Sequence, residues 1–192
     1  MLITFREIFD MAVMTAFVGF IFSDLFGRFR NPRRAYAPLK HGKSGMIDWE
    51  NFKFAAYVTA PALILHELAH KFFAMGFGIE ATFHAAYWWL MLGLALKLMR
   101  FNFIFFVPAY VSIIGSVSPL QHSLIAFAGP GMNLVLWLGT AALIKYKMIG
   151  KKYFPLAVLT SKINMFLFIF NLLPIPGFDG YWVFSGIIQA FF

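Results

Sequence analysis

Residues 55–77 read AAYVTAPALILHELAHKFFAMGF. The run is apolar over most of its length and long enough for about six turns of α-helix. Its second half nevertheless carries His66-Glu67-Leu68-Ala69-His70, an H-E-x-x-H pattern. On a helix, residues four apart lie one above the other, so His66 and His70 can each present a ring nitrogen to one ion at about 2.0 to 2.1 Å. Glu67 sits about 100° round the helix from His66, beside the open coordination position, where it can take a proton from a bound water. The ligand pattern of a zinc hydrolase is thus set into a candidate membrane helix. In water it would predict a soluble metalloprotease; in lipid it predicts cleavage within the membrane.

Composition supports the lipid setting. The chain is 61% hydrophobic and 12% charged, with mean hydropathy +0.75, against roughly 25% charged residues in soluble domains. This predicts a multi-pass integral protein of the cell membrane. No Ser-, Gly- or Pro-rich linker and no internal repeat divides residues 1–192, so one domain is expected. Cysteine is absent, which excludes a thiolate site and leaves His and carboxylate to hold any metal. The net charge of +8 comes largely from two short segments, Arg28 to Lys43 and Lys145 to Lys152, that flank apolar runs. Anchoring at lipid headgroups is the expected role, and no nucleic-acid partner is. Arg6, Glu7 and Asp10 mix signs at the start and no small-x-small cleavage site follows, so the N-terminal segment reads as a retained anchor.

Hydropathy predicts spanning helices over Ile8–Phe26, Phe52–Gly76, Ser123–Ile144 and Phe154–Leu173. Pro61 is expected to kink the second of these one turn before the ligands. Asn31 to Asn51 reads as a loop. Ala85 to Leu96 is apolar but too short to cross, which predicts a re-entrant or interfacial segment with Tyr87, Trp88 and Trp89 at the headgroup boundary. The aromatic and β-branched run Phe101 to Val107 predicts a short strand limited by Pro108. Tyr181 to Phe192 admits a half-helix, a surface helix or a truncated span. The predicted class is a polytopic α-helical membrane protein with about four to six membrane segments and a small membrane-embedded β element after the H-E-x-x-H helix. Residues 52–180 would form the catalytic core and 1–30 a peripheral N-terminal helix.

A catalytic zinc site needs a third protein ligand. The best candidate lies in Asn171-Leu172-Leu173-Pro174-Ile175-Pro176-Gly177-Phe178-Asp179-Gly180, where a span ends in two prolines and two glycines. Irregular backbone at membrane depth is tolerated only where it is buried or lines a wet cavity, and an Asp expected on such chain is a candidate functional residue. A plain Asp-Gly turn at the membrane surface is the competing reading for Asp179, and helix capping or a hydrogen bond across helices that for Asn171. Gly129, Gly131 and Asn133 are expected to serve close helix approach. His84 and His122 read as interfacial histidines, and Lys162 as a mid-span lysine snorkelling toward the basic loop.

The H-E-x-x-H at 66–70 followed by N-x-x-P-x-x-x-x-D-G at 171–180 resembles the site-2 protease family of intramembrane zinc metalloproteases. Ala128-Gly129-Pro130-Gly131-Met132-Asn133 is similar to the glycine-proline motif that opens a core helix in that family. The resemblance covers roughly residues 52 to 180, in the short archaeal-type form without a PDZ or regulatory domain. It implies that His66, His70 and Asp179 hold zinc, that Glu67 is the general base and that Asn171 assists the substrate carbonyl. It also implies that the segment after the first motif forms a membrane-embedded sheet.

The expected reaction is hydrolysis of a peptide bond within or near a transmembrane helix of a membrane-protein substrate. Unwinding that helix exposes N–H and C=O groups that cost several kcal/mol each in lipid. A strand edge at Phe103, Ile104, Phe105, Phe106 and Val107 is therefore expected to bind the substrate by strand addition. A non-catalytic zinc-binding receptor or scaffold on the same fold is one alternative, disfavoured by the intact Glu67. An ion-coupled transporter is another, disfavoured by the absence of repeats. For orientation, the positive-inside rule would place both basic segments in the cytoplasm and the metal in the opposite half, whereas the resemblance implies a site nearer the cytosol.

Overall fold

The structure, a computed structural model, describes residues 2–30, 48–99, 101 and 107–192. Its order is α1 (Phe5–Arg30), α2 (Trp49–Gly76), β1 (Glu80–Ala85), α3 (Tyr87–Leu98), β2 (Ala109–Ile114), α4 (Pro119–Lys145), α5 (Phe154–Asn171) and α6 (Asp179–Phe191). Three of these, α1, α4 and α5, are long and apolar enough to cross a membrane. α2 matches them in length, at 28 residues, but its second half carries the polar cluster His66, Glu67, His70 and Lys71. Many large apolar side chains face outward, among them Trp88, Val135, Ile169 and Ile188, as expected where the surroundings are lipid tails rather than water. The protein is a polytopic helical membrane protein with a small β element.

Three of the helices, α1, α2 and α4, start where the sequence supplies a side-chain cap. Thr4 and Glu7 exchange hydrogen bonds at the start of α1, Thr4 N–H donating to Glu7 Oε2 at 2.7 Å and Glu7 N–H to Thr4 Oγ1 at 3.3 Å. Asp48 accepts from the backbone N–H of Glu50 and Asn51 at the start of α2, and Ser118 with Gln121 forms a capping box ahead of Pro119 in α4. Such bonds satisfy donors that have no partner within the helix. Pro61 and Pro130 lie inside α2 and α4 without ending them.

α1 runs along α2, and α4 lies against α2, α5 and α6. The direction of α4 relative to α2 follows from their bonds: Ala62 and His66 meet Asn133, while His70, one turn on, meets Ile125. Rising numbers on one helix match falling numbers on the other, so the two are antiparallel. The first expected span is no mere flank of the bundle. Its Met14, Val18 and Ile21 are buried with Phe83, Ala85, Leu90 and Ala109 in one core cluster, and Phe26 with Ala55, Val58 and Leu159 in another.

β1 and β2 pair antiparallel, with Phe83 opposite Val111 and Ala85 opposite Ala109. A strand was expected over Phe101–Val107, most of which lies outside the described residues; the described strand β2 lies on the other side of Pro108. Residues 103–106 lie outside the described residues, and Val107 belongs to no strand. Pro108 opens the ladder rather than closing it: lacking an N–H, it still offers a carbonyl, which accepts from Ala86 N–H at 3.0 Å. β1 alternates exposed and buried residues, Ala81, Phe83 and Ala85 facing the core, the period-two pattern of a half-buried strand. β1 itself was not expected; the short apolar segment expected over Ala85 to Leu96 is the 12-residue helix α3.

Candidate metal centre

His66 and His70 project from one face of α2, as their spacing requires, with ring centroids 4.8 Å apart. The chain then returns through α5, an irregular turn over residues 172–178 that includes Gly177 at φ 97°, and the start of α6. Asp179 was expected on irregular chain. It is instead the first residue of α6, so its carboxylate is aimed by a helix that is itself docked. Ser123 Oγ donates to the Val183 carbonyl at 2.9 Å, and Gly186 lets α6 approach α4 so closely that a Cβ there would lie 2.9 Å from Ser123 Cβ.

The three side chains converge. Asp179 Oδ2 lies 3.1 Å from His66 Nε2 and Oδ1 lies 3.4 Å from His70 Nε2, and the two Nε2 atoms are 3.1 Å apart. Tetrahedral bonds of about 2.0 to 2.2 Å would put donor atoms about 3.3 to 3.6 Å apart; the observed 3.1 to 3.4 Å lies at and just below that range, close enough for the three to share one ion.

The other ring nitrogens fix the tautomers. His70 Nδ1 is 2.7 Å from the Ile125 carbonyl, which can only accept, so Nδ1 carries the proton and Nε2 a lone pair. His66 Nδ1 is 2.5 Å from Asn133 Oδ1, and the Asn133 amide nitrogen donates to the Ala62 carbonyl at 3.2 Å and to Asn164 Oδ1 at 2.9 Å. With both donors committed, Asn133 presents its oxygen to His66, and His66 Nε2 is also left with a lone pair. Two lone pairs and a carboxylate this close repel one another unless a cation or added protons sit among them. The donor set therefore fits a divalent metal, and the residues at 66, 70 and 179 could hold it.

Gly129 completes the cradle. A Cβ at this position would sit 2.6 Å from His66 Nε2 and closer still to His70 Nε2, so the expected close-approach role holds here, with two imidazoles as the neighbours. Asn133, expected in the same role, orients His66 instead. Asn133 and Asn164 are both fully buried, and the sequence reading passed over Asn164 altogether. A lone amide in an apolar span was the available signal, since lipid offers it no partner.

The cluster opens into a cavity of about 700 Å³ whose walls include Glu67, Asn171, Phe178 and Asp179 as well as residues of α1 and β2. Glu67 makes no hydrogen bond or ion pair among the described residues, so its carboxylate is available to a ligand. Asn171, the last residue of α5, borders the same space. His122 also borders it but packs on Trp182 with ring centroids 4.8 Å apart, and His84 bonds Ser112 Oγ at 2.9 Å. Neither belongs to the metal-binding group.

Behind this site, α1 grips the sheet. Glu7 Oε1 accepts from Phe83 N–H at 2.8 Å and pairs with the buried Lys71 ammonium. Asp10 accepts from Ala85 N–H at 3.3 Å and from the Tyr87 hydroxyl at 2.5 Å. Phe83 and Ala85 therefore point their N–H groups away from β2, and α1 closes the outer edge of β1. In an antiparallel pair, residues opposite one another share this sense. Ala109 and Val111, and Ile113 by alternation, thus direct their N–H groups away from β1, and all three residues are among those that border the cavity.

Fold and site together define a helical membrane protein with two buried histidines and one partly buried carboxylate that could hold a metal, and beside them an acid, Glu67, unpaired among the described residues. No family model and no solved structure matches the chain. A protein of Methanocaldococcus jannaschii described as a "putative zinc metalloprotease" is 30% identical over 181 residues, covering 91% of this chain and 81% of that protein. The chain belongs to this metalloprotease family.

Proposed function

We propose that the protein is an intramembrane zinc endopeptidase of the site-2 protease type, hydrolysing a peptide bond within or near a transmembrane helix of a membrane-protein substrate. The observation that carries the reading is the arrangement of His66, His70 and Asp179 around one point, with unpartnered Glu67 beside them, in a cavity walled by apolar helices. Zinc, held by those three side chains, would supply Lewis-acid polarisation of the scissile carbonyl and acidification of water. Glu67 accepts the proton of the attacking water and returns it to the amine as the C–N bond breaks. Asn171 offers an amide donor to the substrate carbonyl. Asn133 and the Ile125 carbonyl hold the two imidazoles in the ligating tautomer throughout.

The substrate must be unwound to reach this point, because a helical peptide bond is shielded by its own ladder. The cavity-side edge of β2 supports capture by strand addition, since it offers backbone groups to an extended peptide where lipid offers none. The edge at Phe103 to Val107 remains a proposal for the segment leading into that strand.

Metal content and reporter cleavage test the assignment together. Purified protein should hold one zinc, and His66→Ala, His70→Ala or Asp179→Ala should each abolish tight binding. Glu67→Gln should keep the metal and lose cleavage of a membrane-anchored reporter by about 10² to 10⁴-fold. Full zinc and full activity in Asp179→Ala would remove the third ligand; full zinc with no cleavage by wild type would favour a non-catalytic receptor.

A further inference from the structure

We propose that Lys162 is a specificity determinant that pairs with a carboxylate side chain of the substrate segment in the cavity. The inference rests on the protease reading and deepens it by naming a substrate class: membrane segments bearing an Asp or Glu near the cleaved region.

Lys162 lies at the middle of α5, about 12 to 14 Å along the axis from either end at 1.5 Å per residue. Its extended stem reaches only about 6 Å, so the headgroup region is beyond it if α5 stands across the bilayer. A charge at that depth is costly unless it pairs or faces water.

No acidic partner for Lys162 is available among the described residues. All eight Asp and Glu residues lie among the described residues. Glu7 pairs with Lys71 and Asp24 with Lys97. Asp10 is taken by Ala85 and Tyr87, Asp48 caps α2, and Glu50 pairs with Lys53. Asp179 belongs to the histidines. Glu67 and Glu80 form no ion pair with Lys162 among the described residues, and Glu80 opens β1 on another part of the molecule.

The helix nevertheless turns Lys162 toward the site. The α5 residues that border the cavity are Leu159, Lys162, Ile163, Phe166, Leu167, Phe170 and Asn171, three and four apart along one face, with Lys162 at its margin. Lys162 is exposed and is the only lysine or arginine among the described residues that border the cavity. Its depth matches the metal centre, because Asn164, two residues on, bonds Asn133, which orients His66. An unpaired ammonium on the rim of a cavity that holds the scissile bond recognises an anion brought in by the substrate.

The test is a charge-swap scan. A reporter transmembrane segment that wild type cleaves is made in versions with Asp, Asn or Lys at successive positions, and each is assayed with wild type, Lys162→Gln and Lys162→Glu in vesicles of neutral lipid. At one position wild type should favour Asp over Asn by about tenfold or more in kcat/KM. Lys162→Gln should lose that preference, and Lys162→Glu should shift it to Lys, with zinc content and cleavage of the Asn versions little changed. The same rank order for all three enzymes at every position would overturn the proposal. So would an effect of Lys162→Gln that is equal on every reporter and appears only when anionic lipid is added, which would make a lipid phosphate the partner. Loss of all cleavage by wild type in spite of bound zinc would overturn the protease reading and this inference with it.

Discussion

His66 shows how much a single side chain depends on the shell behind it. Its Nε2 can ligate only while Nδ1 has an acceptor, and that acceptor is the Asn133 oxygen, itself set by two donations to Ala62 and Asn164. Asn133→Ala should leave zinc ligands intact yet weaken metal affinity by about 10 to 100-fold, measurable by competition with a chelator in detergent. Asn133→Asp, which keeps the acceptor oxygen, should recover much of the loss. An affinity unchanged in Asn133→Ala would show that His66 needs no such orientation. The ligand pair and base at 66, 67 and 70 were legible in the sequence because a five-residue pattern on one helix fixes its own geometry. Asn133 was not, because what it does depends on a contact 67 residues away.

At the scale of elements, the Glu7–Lys71 pair ties α1 to α2 and to β1. Both side chains are almost fully buried, so Lys71→Met alone strands a carboxylate without its counter-charge, at a cost of about 3 to 5 kcal/mol. The double change Lys71→Met with Glu7→Gln keeps the acceptor for Phe83 N–H and removes both charges. It should unfold close to wild type in a thermal scan, well above the single variant. Equal destabilisation of single and double variants would mean the pair contributes through shape rather than charge.

The two edges of the sheet differ in the same way. α1 covers β1, whereas β2 presents Val111 N–H outward, so Val111→Pro removes an edge donor without breaking the β1 ladder. It should keep its zinc and lose cleavage of helical reporters far more than of reporters already weakened by glycine or proline. Similar losses on both reporter types would exclude strand addition at this edge. Ala109 to Ile114 was not expected as a strand, because composition favoured aromatic, β-branched Phe101 to Val107, most of which lies outside the described residues. Register was decided instead by the Glu7 and Asp10 carboxylates bonding alternate N–H groups of β1.

For the whole molecule, the antiparallel run of α2 and α4 puts the start of α2 and the end of α4 at one end of the bundle. The basic segments Arg28 to Lys43 and Lys145 to Lys152 are attached at that end. His70 is about 9 Å along α2 from its other terminus, and Gly129 about 15 Å along α4 from its own, which sets the metal in the half away from the basic segments. Single cysteines at Lys40 and Lys147 should therefore label from the same side of a sealed vesicle. Labelling from opposite sides would contradict the bundle, and the side that labels decides between the positive-inside expectation and the orientation implied by the site-2 protease resemblance.

Hydropathy and the H-E-x-x-H spacing already fix the medium, the long helices and the reactive pair. Apolar runs of spanning length have few ways to exist outside lipid, and i, i+4 histidines need only one helix to meet. Tertiary contacts bring the Asp179 carboxylate, already the candidate in the sequence, to the histidines, and they set which amide orients them, which sheet edge stays open and where Lys162 faces. Each of those is a contact between segments distant in the chain, and hydropathy and periodicity report only what a segment does with its own neighbours.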